Sequence, residues 1–218
     1  MSGLSGAAEI VERLFVFNIV ISAKIKRGKY IYMKVSVKPT TLLAPVPVVM
    51  VSCGNMEDSD IITVAWAGTV NSEPPMLSVS VRRSRHSFGL IQKSGEFTVN
   101  LVDESLLKVC DGCGVVSGRD VDKFKKFGLT KQPCEHIEAP AIAECGVSLE
   151  CVVREKVEMP THVMFIAEIV GATADERWLE NGKLRIPDSA PVVYVQNRYV
   201  ATGKTIGTYG FTAQETHK

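Results

Sequence analysis

One strand and the corner that follows it constrain this chain more than any other segment. Residues 72–87 run from a turn, through a strand in which Leu77, Val79 and Val81 alternate with serines, into a basic and hydroxyl-rich corner. Alternation with a period of two is typical of a strand that buries one face and leaves the other polar. The segment therefore predicts a half-buried strand that delivers charged side chains to one end of a sheet.

The corner after this strand has the composition of an anion site. It places arginines, a histidine and hydroxyl groups immediately before a predicted helix: Arg82, Arg83, Ser84, Arg85, His86 and Ser87. Arginine forks, hydroxyls and the amides of a helix N-terminus suit a phosphate monoester. The alternative is an ordinary solvated basic turn. Because Arg83 alternates with Arg82 along the chain, we expect Arg83 to face the solvent.

The balance of charges excludes a general attraction to nucleic acid. The chain of 218 residues carries 25 Lys and Arg against 24 Asp and Glu, so an anion site has to be local. The apolar run at residues 14–23 contains Asn18 and Ser22 and is far shorter than the ~20 residues of a membrane span. It also lacks the basic start of a signal peptide. We expect a cytoplasmic protein with no membrane and no nucleic-acid partner.

Short strands and frequent turns dominate the sequence from Lys34 onward. Apolar or alternating runs predict strands over residues 46–52, 61–66, 76–81, 97–101, 147–153, 162–170 and 192–195. Helices are expected over residues 86–93, 103–109 and 120–127, the last opening at Asp120 with an acidic N-cap and ending at Gly128. Short strand spacing and few helices favour a closed or partly closed β-barrel over a βαβ sheet.

The organisation along the chain is that of one domain with additions. With 45% hydrophobic and 22% charged residues the chain can bury a large core. We expect an N-terminal extension of unknown role over residues 1–32, a single domain over 33–200 and a tail over 201–218.

The cysteines leave three interpretations open. Six cysteines without a secretion signal predict reduced thiols. Cys110 and Cys113 form a C-x2-C pair, with Cys134 and His136 some twenty residues later. This spacing approximates that of zinc ligands, but a second compact pair is missing. Packing is the interpretation we favour, ahead of a disulfide and of a metal-binding structural module.

The order of motifs resembles that of the flavin reductase-like, FMN-binding split-barrel proteins. The matching segments are TVAWAGTV at 63–70, SEPP at 72–75, RHS at 85–87 and SGEFTVN at 94–100. Later segments are similar to the flavoredoxin branch of that family: CG at 113–114, SGRDVDKF at 117–124, GLT at 128–130, EAP at 138–140, LEC at 149–151 and NRY at 197–199. The resemblance covers about residues 35–200. It implies a mainly β Greek-key split barrel that forms a homodimer and holds one FMN per subunit near the interface.

The same resemblance implies which residues contact the flavin ring. The segment from Asp60 to Gly68 would bring backbone amides to the isoalloxazine, and it contains Thr63, Val64 and Ala65. Trp66 would pack on the ring or lie in the core. Relatives commonly carry asparagine where this chain has Asp60, which either lies near the ring, where it would repel a reduced anion, or caps the turn.

The remaining implied contacts concern the phosphate and the ribityl chain. The resemblance assigns them to Ser80, Val81, Arg82, Arg85, His86 and Ser87. A second flavin-contacting segment holds Ser117, Gly118, Arg119 and Lys123, with Lys123 over the ring or the phosphate. His162 would lie close to the flavin, from the same chain or from the partner.

Two functions fit such a site. In the first, FMN takes a hydride from NAD(P)H and passes electrons to a second acceptor, which is free flavin, a ferric chelate or a protein. No catalytic side chain is needed for this, and no G-x-G-x-x-G loop follows a strand, so the nicotinamide would stack on the flavin in an open cleft. In the second, the protein is an FMN electron carrier reduced by a protein partner, with no NAD(P)H activity of its own.

Overall fold

The structure, a computed structural model, describes residues 24–26, 29–31, 34–187 and 191–214. The chain divides into two units between Leu42 and Leu43. In the first unit, strands β1 (Lys24–Lys26) and β2 (Lys29–Ile31) form an antiparallel pair. Most of the expected N-terminal extension, and the last residues of the expected tail, lie outside the described residues.

Fourteen further strands are described in the second unit, within residues 43–187 and 191–214. They are β3 (Val46–Pro47), β4 (Val49–Gly54), β5 (Ser59–Val64), β6 (Ala67–Ser72), β7 (Pro75–Val81), β8 (Glu96–Leu101), β9 (Lys131–Gln132), β10 (Ala141–Ile142), β11 (Val147–Glu158), β12 (Val163–Ala174), β13 (Leu179–Glu180), β14 (Lys183–Leu184), β15 (Val192–Val195) and β16 (Arg198–Ala201). Seven of them form one antiparallel sheet in the order β5-β4-β8-β11-β12-β7-β6. A second sheet has the order β16-β15-β3.

The large sheet has to curl, because its two edge strands are neighbours in the chain. Only Ala65 and Trp66 separate β5 from β6, and three Cα–Cα steps span at most about 11 Å. A flat sheet of seven strands would hold its edges about 29 Å apart. The Ser80 N–H of β7 donates a hydrogen bond of 2.9 Å to the carbonyl of Trp66, which fixes this connection beside the end of β7. The predicted partly closed barrel is confirmed.

Four α-helices are described: α1 (His86–Ser94), α2 (Leu107–Val115), α3 (Lys123–Phe127) and α4 (Phe211–Gln214). Helix α1 ends at Gly95, whose φ of 75° is left-handed, as the glycine there predicts. Helix α3 begins after Asp122, whose side chain accepts from the Lys125 N–H at 3.1 Å, so the predicted start at Asp120 was too early. No helix among the described residues is long and apolar enough to cross a membrane.

Two apolar clusters lie on opposite faces of β4 and β5. The first fills the inside of the curled sheet, where Val79, Phe97 and Phe165 are buried. The second contains Met50 and Ile61 from the other face, packed against residues of α2 and α3. The predicted alternation in β7 is confirmed, since Leu77, Val79 and Val81 are buried and the serines between them are half-buried. The second cluster therefore holds α2 and α3 beside the end of β5, where the cavities described next are found.

Candidate functional site

Two adjoining cavities lie where β5 and β7 end and α1 begins. The larger, of about 360 Å³, is called the main cavity, and the smaller, of about 210 Å³, the corner cavity. Ile62 and Arg85 line both. The main cavity brings together these predicted site residues: Thr63, Val64, Ala65, Trp66, Ser80, Val81, Arg82, Arg85 and His162. The corner cavity brings together the others: Asp60, His86, Ser87, Ser117, Gly118, Arg119 and Lys123.

The main cavity is a trench between the end of β5 and the end of α2. Its floor is the strand backbone at residues 62–66, and Gly114 and Val115 of α2 face it. A methyl group on Gly114 would stand 3.2 Å from Cβ of Thr63, tighter than ordinary packing. A small residue at Gly114 therefore lets α2 approach β5 closely enough to form the opposite wall.

One side of the main cavity is aromatic. Tyr194 and Tyr199 pair across β15 and β16 with ring centroids 5.9 Å apart, and the centroid of Trp66 lies 6.3 Å from that of Tyr194. The Tyr199 hydroxyl donates to Asp111 at 2.9 Å, and burial together with this carboxylate raises its pKa. Trp66 is 44% exposed, so it belongs to the cavity wall and not to the core of this chain.

The corner cavity surrounds the first turn of α1. The first amides of a helix have no acceptor within it, and the N-cap residue Arg85 makes no side-chain capping bond. The first turn holds no acidic residue. Arg85 donates to the Gly114 carbonyl at 3.4 Å, and Arg119 donates to the Ser84 carbonyl at 2.9 Å. Two exposed guanidinium groups thus flank an uncapped helix N-terminus, which is the donor set that phosphate prefers.

A buried ion pair lies behind this corner. The ammonium of Lys123 lies 3.1 Å from Oδ1 of Asp60, and both side chains are almost fully buried. The Ser87 hydroxyl donates to Oδ2 of Asp60 at 2.5 Å, and Lys123 also donates to the carbonyl of Ile61. Lys123 is therefore not a solvated surface lysine, and in this structure its charge is paired with Asp60.

His162 lines the main cavity, whereas Arg83 does not. Nδ1 of His162 shares a hydrogen bond of 2.8 Å with the Thr161 hydroxyl, while partial burial and then the nearby charge of Arg82 lower its pKa. The lowered pKa favours the uncharged form of its imidazole. Arg83 lines neither cavity and donates to the Met159 carbonyl at 3.0 Å, with its side chain 43% exposed. The expectation that Arg83 faces outward is confirmed.

The cysteines are packing residues in this structure. Cys110 and Cys113 are buried free thiols in the second apolar cluster, and burial raises their pKa values to about 11 and about 12. Cys134 contacts the Thr98 hydroxyl at 3.5 Å. In the part of the chain that the structure describes, no group of three or more His, Cys, Asp or Glu side chains could hold a metal ion. The geometry gives no support to the zinc or disulfide interpretations.

Several lining residues were missed from the sequence. They are Val48, Asp111, Cys113, Gly114, Val115, Val116, Tyr194 and Tyr199. Tyr199 lies within the NRY motif, which was the available signal for the aromatic wall. Tyr194 reaches the cavity because β15 pairs with β3, a contact that no local pattern in the sequence predicts.

A curled antiparallel sheet whose edges join at a cavity, with a cationic corner beside an aromatic wall, is the architecture of the split-barrel class of flavin-associated proteins. The chain belongs to the flavin reductase like domain family, whose match covers residues 42–203. Its structure is similar to flavoredoxin of Desulfovibrio vulgaris (Miyazaki F), with 30% identity, a TM-score of 0.76, and coverage of 83% of this chain and 100% of that one. It is also similar to flavoredoxin from Methanosarcina acetivorans, with 30% identity, a TM-score of 0.77, and coverage of 84% and 99%.

A further relative comes from the sequence. An uncharacterized protein of Archaeoglobus fulgidus is 33% identical over 118 residues, which is 54% of this chain and 67% of that protein. The resemblance to the flavin reductase-like family and to its flavoredoxin branch is confirmed.

Proposed function

We propose that this protein is an FMN-dependent oxidoreductase that takes a hydride from NAD(P)H and passes electrons to a second acceptor. The observation that carries the proposal is that the two cavities adjoin, since Arg85 and Ile62 line both. A cationic corner that suits a phosphate lies beside a trench with an aromatic wall that suits a planar ring. FMN combines these two groups in one molecule.

The donor set fits FMN. Arg85 and Arg119 provide charge-assisted donors, and the amides at the start of α1 lie between them. Ser80, Val81 and Arg82, at the end of β7, line the main cavity, and the ribityl chain would lie against them. The small residues Thr63 and Ala65 leave the strand backbone accessible to ring carbonyls and ring nitrogens.

When bound, FMN would supply a ring that accepts a hydride at N5 and gives up electrons to an acceptor. The chain's own residues would bind the ring, orient it and shield it from solvent. Backbone groups of residues 63–66 would fix one edge of the ring, and Trp66 would cover part of its face. His162 adds a ring nitrogen to the cavity, and its lowered pKa favours the uncharged form. None of these residues has to act as a nucleophile or as a general base.

The open side of the main cavity leaves room for a second planar molecule. Trp66 is 44% exposed at the rim, so a nicotinamide could reach a ring bound below it without a separate dinucleotide fold. The same opening would admit free flavin, a ferric chelate or the surface of a protein acceptor.

We also propose that the protein acts as a homodimer, as its family resemblance implies. Strand β6 is an edge of the large sheet, and Val70 on it is 49% exposed. Light scattering behind a size-exclusion column tests this proposal, and a mass of one chain at micromolar concentration would contradict it.

The test of function is a visible spectrum of the purified protein, followed by anaerobic addition of NADH and then NADPH. Flavin bands that bleach with either nucleotide support the reductase and identify its donor. Bands that persist until dithionite is added indicate an electron carrier reduced by a protein partner. A colourless protein that also ignores added FMN contradicts the proposal.

A further inference from the structure

The ion pair between Asp60 and Lys123 is withdrawn from solvent, although both residues line the corner cavity. Asp60 is 2% exposed and Lys123 is 3% exposed. Their charged atoms lie 3.1 Å apart, so the two charges balance each other. A lone buried charge is strongly unfavourable, whereas a paired and hydrogen-bonded one is tolerated.

One carboxylate joins the elements that build the corner. Asp60 lies on β5, Ser87 lies in the first turn of α1, and Lys123 is the first residue of α3. Ser87 donates to one carboxylate oxygen, and the ammonium of Lys123 lies beside the other. The relative positions of α1 and α3 therefore depend on the side chain of Asp60.

The loop that carries Arg119 rests on the same carboxylate. A Cβ atom added to Gly118 would stand 2.3 Å from Oδ1 of Asp60, so the backbone of the loop passes directly over it. Ser117 also stabilises the loop, because its hydroxyl accepts from the Arg119 N–H at 3.2 Å. The position of Arg119 is thus coupled to that of Asp60 through the glycine between them.

These contacts divide the polar groups of the corner into two sets. The hydroxyl of Ser87 and the charge of Lys123 are committed to Asp60. The exposed guanidinium groups of Arg85 and Arg119 are not, and they supply the positive charge that faces the cavity.

We infer that Asp60 and Lys123 are positioning residues, a buried pair that sets the spacing between the start of α1 and the Arg119 loop for a phosphate. The inference rests on the proposed function for the identity of the ligand. Changes to the pair are therefore expected to weaken binding of the FMN phosphate. They should have little effect on binding of the ring, which is proposed to lie in the main cavity.

The test compares Lys123→Met with the double variant Asp60→Asn/Lys123→Met. The single variant leaves a buried carboxylate without a counter-charge, so the loop and α1 shift. The double variant removes both charges and keeps side chains of similar size. Lys125→Met is the matched control, since it removes one positive charge from an exposed position on the same helix.

Two dissociation constants, for FMN and for riboflavin, are expected to separate the three variants. In Lys123→Met the Kd for FMN rises by about tenfold or more, as for loss of a charge-assisted hydrogen bond. The Kd for riboflavin, which lacks the phosphate, stays within about twofold. The double variant recovers most of the FMN affinity, and Lys125→Met binds both ligands like the wild type. A double variant as weak as Lys123→Met would show that Lys123 contacts the phosphate directly and would overturn the inference.

Hydrogen exchange of the unliganded protein gives a readout that does not depend on FMN. Amides of residues 117–121 are expected to exchange faster in Lys123→Met and to regain protection in the double variant. Unchanged exchange in the single variant overturns the positioning role. If Lys123→Met does not fold, the double variant must still fold and bind FMN, and its failure to do so also counts against the inference. A wild type that binds neither FMN nor riboflavin rejects the proposed function, while the exchange data still decide the role of the pair.

Discussion

Arg83 and Arg85 leave the same turn in opposite directions. Arg83 donates to the Met159 carbonyl at 3.0 Å on one side of the strand end, and Arg85 donates to the Gly114 carbonyl at 3.4 Å where the two cavities meet. Only one residue separates these arginines, yet Arg85 lines both cavities and Arg83 lines neither. This pair offers a matched comparison of a cavity arginine with an outward-facing one.

Replacing Arg85 with alanine is expected to raise the Kd for FMN by about ten- to a hundredfold, because a charge-assisted bond to the phosphate is lost. Arg83→Ala should leave the Kd for FMN within about twofold of the wild type. Flavin fluorescence titrations measure both, with riboflavin as the ligand that lacks the phosphate. Equal affinities of Arg85→Ala and the wild type would place the phosphate elsewhere.

Trp66 is expected to contribute to ring binding and not to phosphate binding. Trp66→Ala should raise the Kd for FMN and for riboflavin by the same factor, about two- to tenfold, since a favourable aromatic contact is lost. Trp178→Phe is the control, because the other tryptophan of the chain packs against Gly146 and lines neither cavity. A loss of affinity for FMN alone would disagree with the assignment of the ring to the main cavity.

Two glycine substitutions should have opposite effects on stability. In Gly118→Ala the added Cβ would stand 2.3 Å from Oδ1 of Asp60, and relieving this overlap is expected to lower the free energy of unfolding by about 1–3 kcal/mol. In Gly89→Ala, within α1, nothing lies within 4 Å of the added atom. The higher helix propensity of alanine should raise the free energy of unfolding by about 0.5–1 kcal/mol. Urea unfolding at constant m-value measures both changes. An unaltered Gly118→Ala protein would mean that the loop over Asp60 can shift freely.

Buried thiols should make the fold sensitive to alkaline pH. Burial raises the pKa of Cys151 from its ordinary value of 9.0 to about 12, and the pKa of Cys113 is similarly raised. Above pH 9 the unfolded chain loses thiol protons that the native chain keeps, so unfolding becomes more favourable as the pH rises; below pH 9 these thiols have no such effect. Each thiol contributes at most about 1.4 kcal/mol per pH unit.

The measurement is the free energy of unfolding from urea titrations between pH 8 and 11. Cys151→Ala is expected to lose stability less steeply with pH than the wild type does, whatever its stability at pH 8. Parallel pH profiles for the two proteins would show that Cys151 is not a source of the alkaline sensitivity.

Strands with one buried face were predictable from the sequence, and the exposed edge strand was not. The alternation in residues 76–81 and the β-branched run at 192–195 correspond to β7 and β15. Strand β6 is exposed along almost its whole length, so its sequence, AGTVNS, has no alternation to detect. Helix α2 continues beyond its predicted end at Val109 because the helix-breaking Gly112 lies under the ring of Phe127, where a Cβ would stand 2.6 Å away. Tertiary packing there overrides helix propensity.

The members of the site were predictable through the order of motifs, but their partners were not. Ordered motifs selected residues that all line one of the two cavities. Sequence gives no signal that Lys123 and Ser87 converge on one buried carboxylate, since they are 36 residues apart and lie on different helices. The flavin contacts of these residues, the boundaries of the domain and the cytoplasmic location stay predictions.

The two-residue connection at Ala65 and Trp66 both holds the sheet curled and forms a wall of the main cavity. A molecule that binds against this wall adds contacts at the join of the barrel. The free energy of unfolding therefore rises as the site fills. At a free ligand concentration a hundred times Kd the increase is about 2.7 kcal/mol. When such a ligand is scarce, the protein lacks that part of its stability, so under the proposed function the supply of FMN would also limit how much of the chain stays folded.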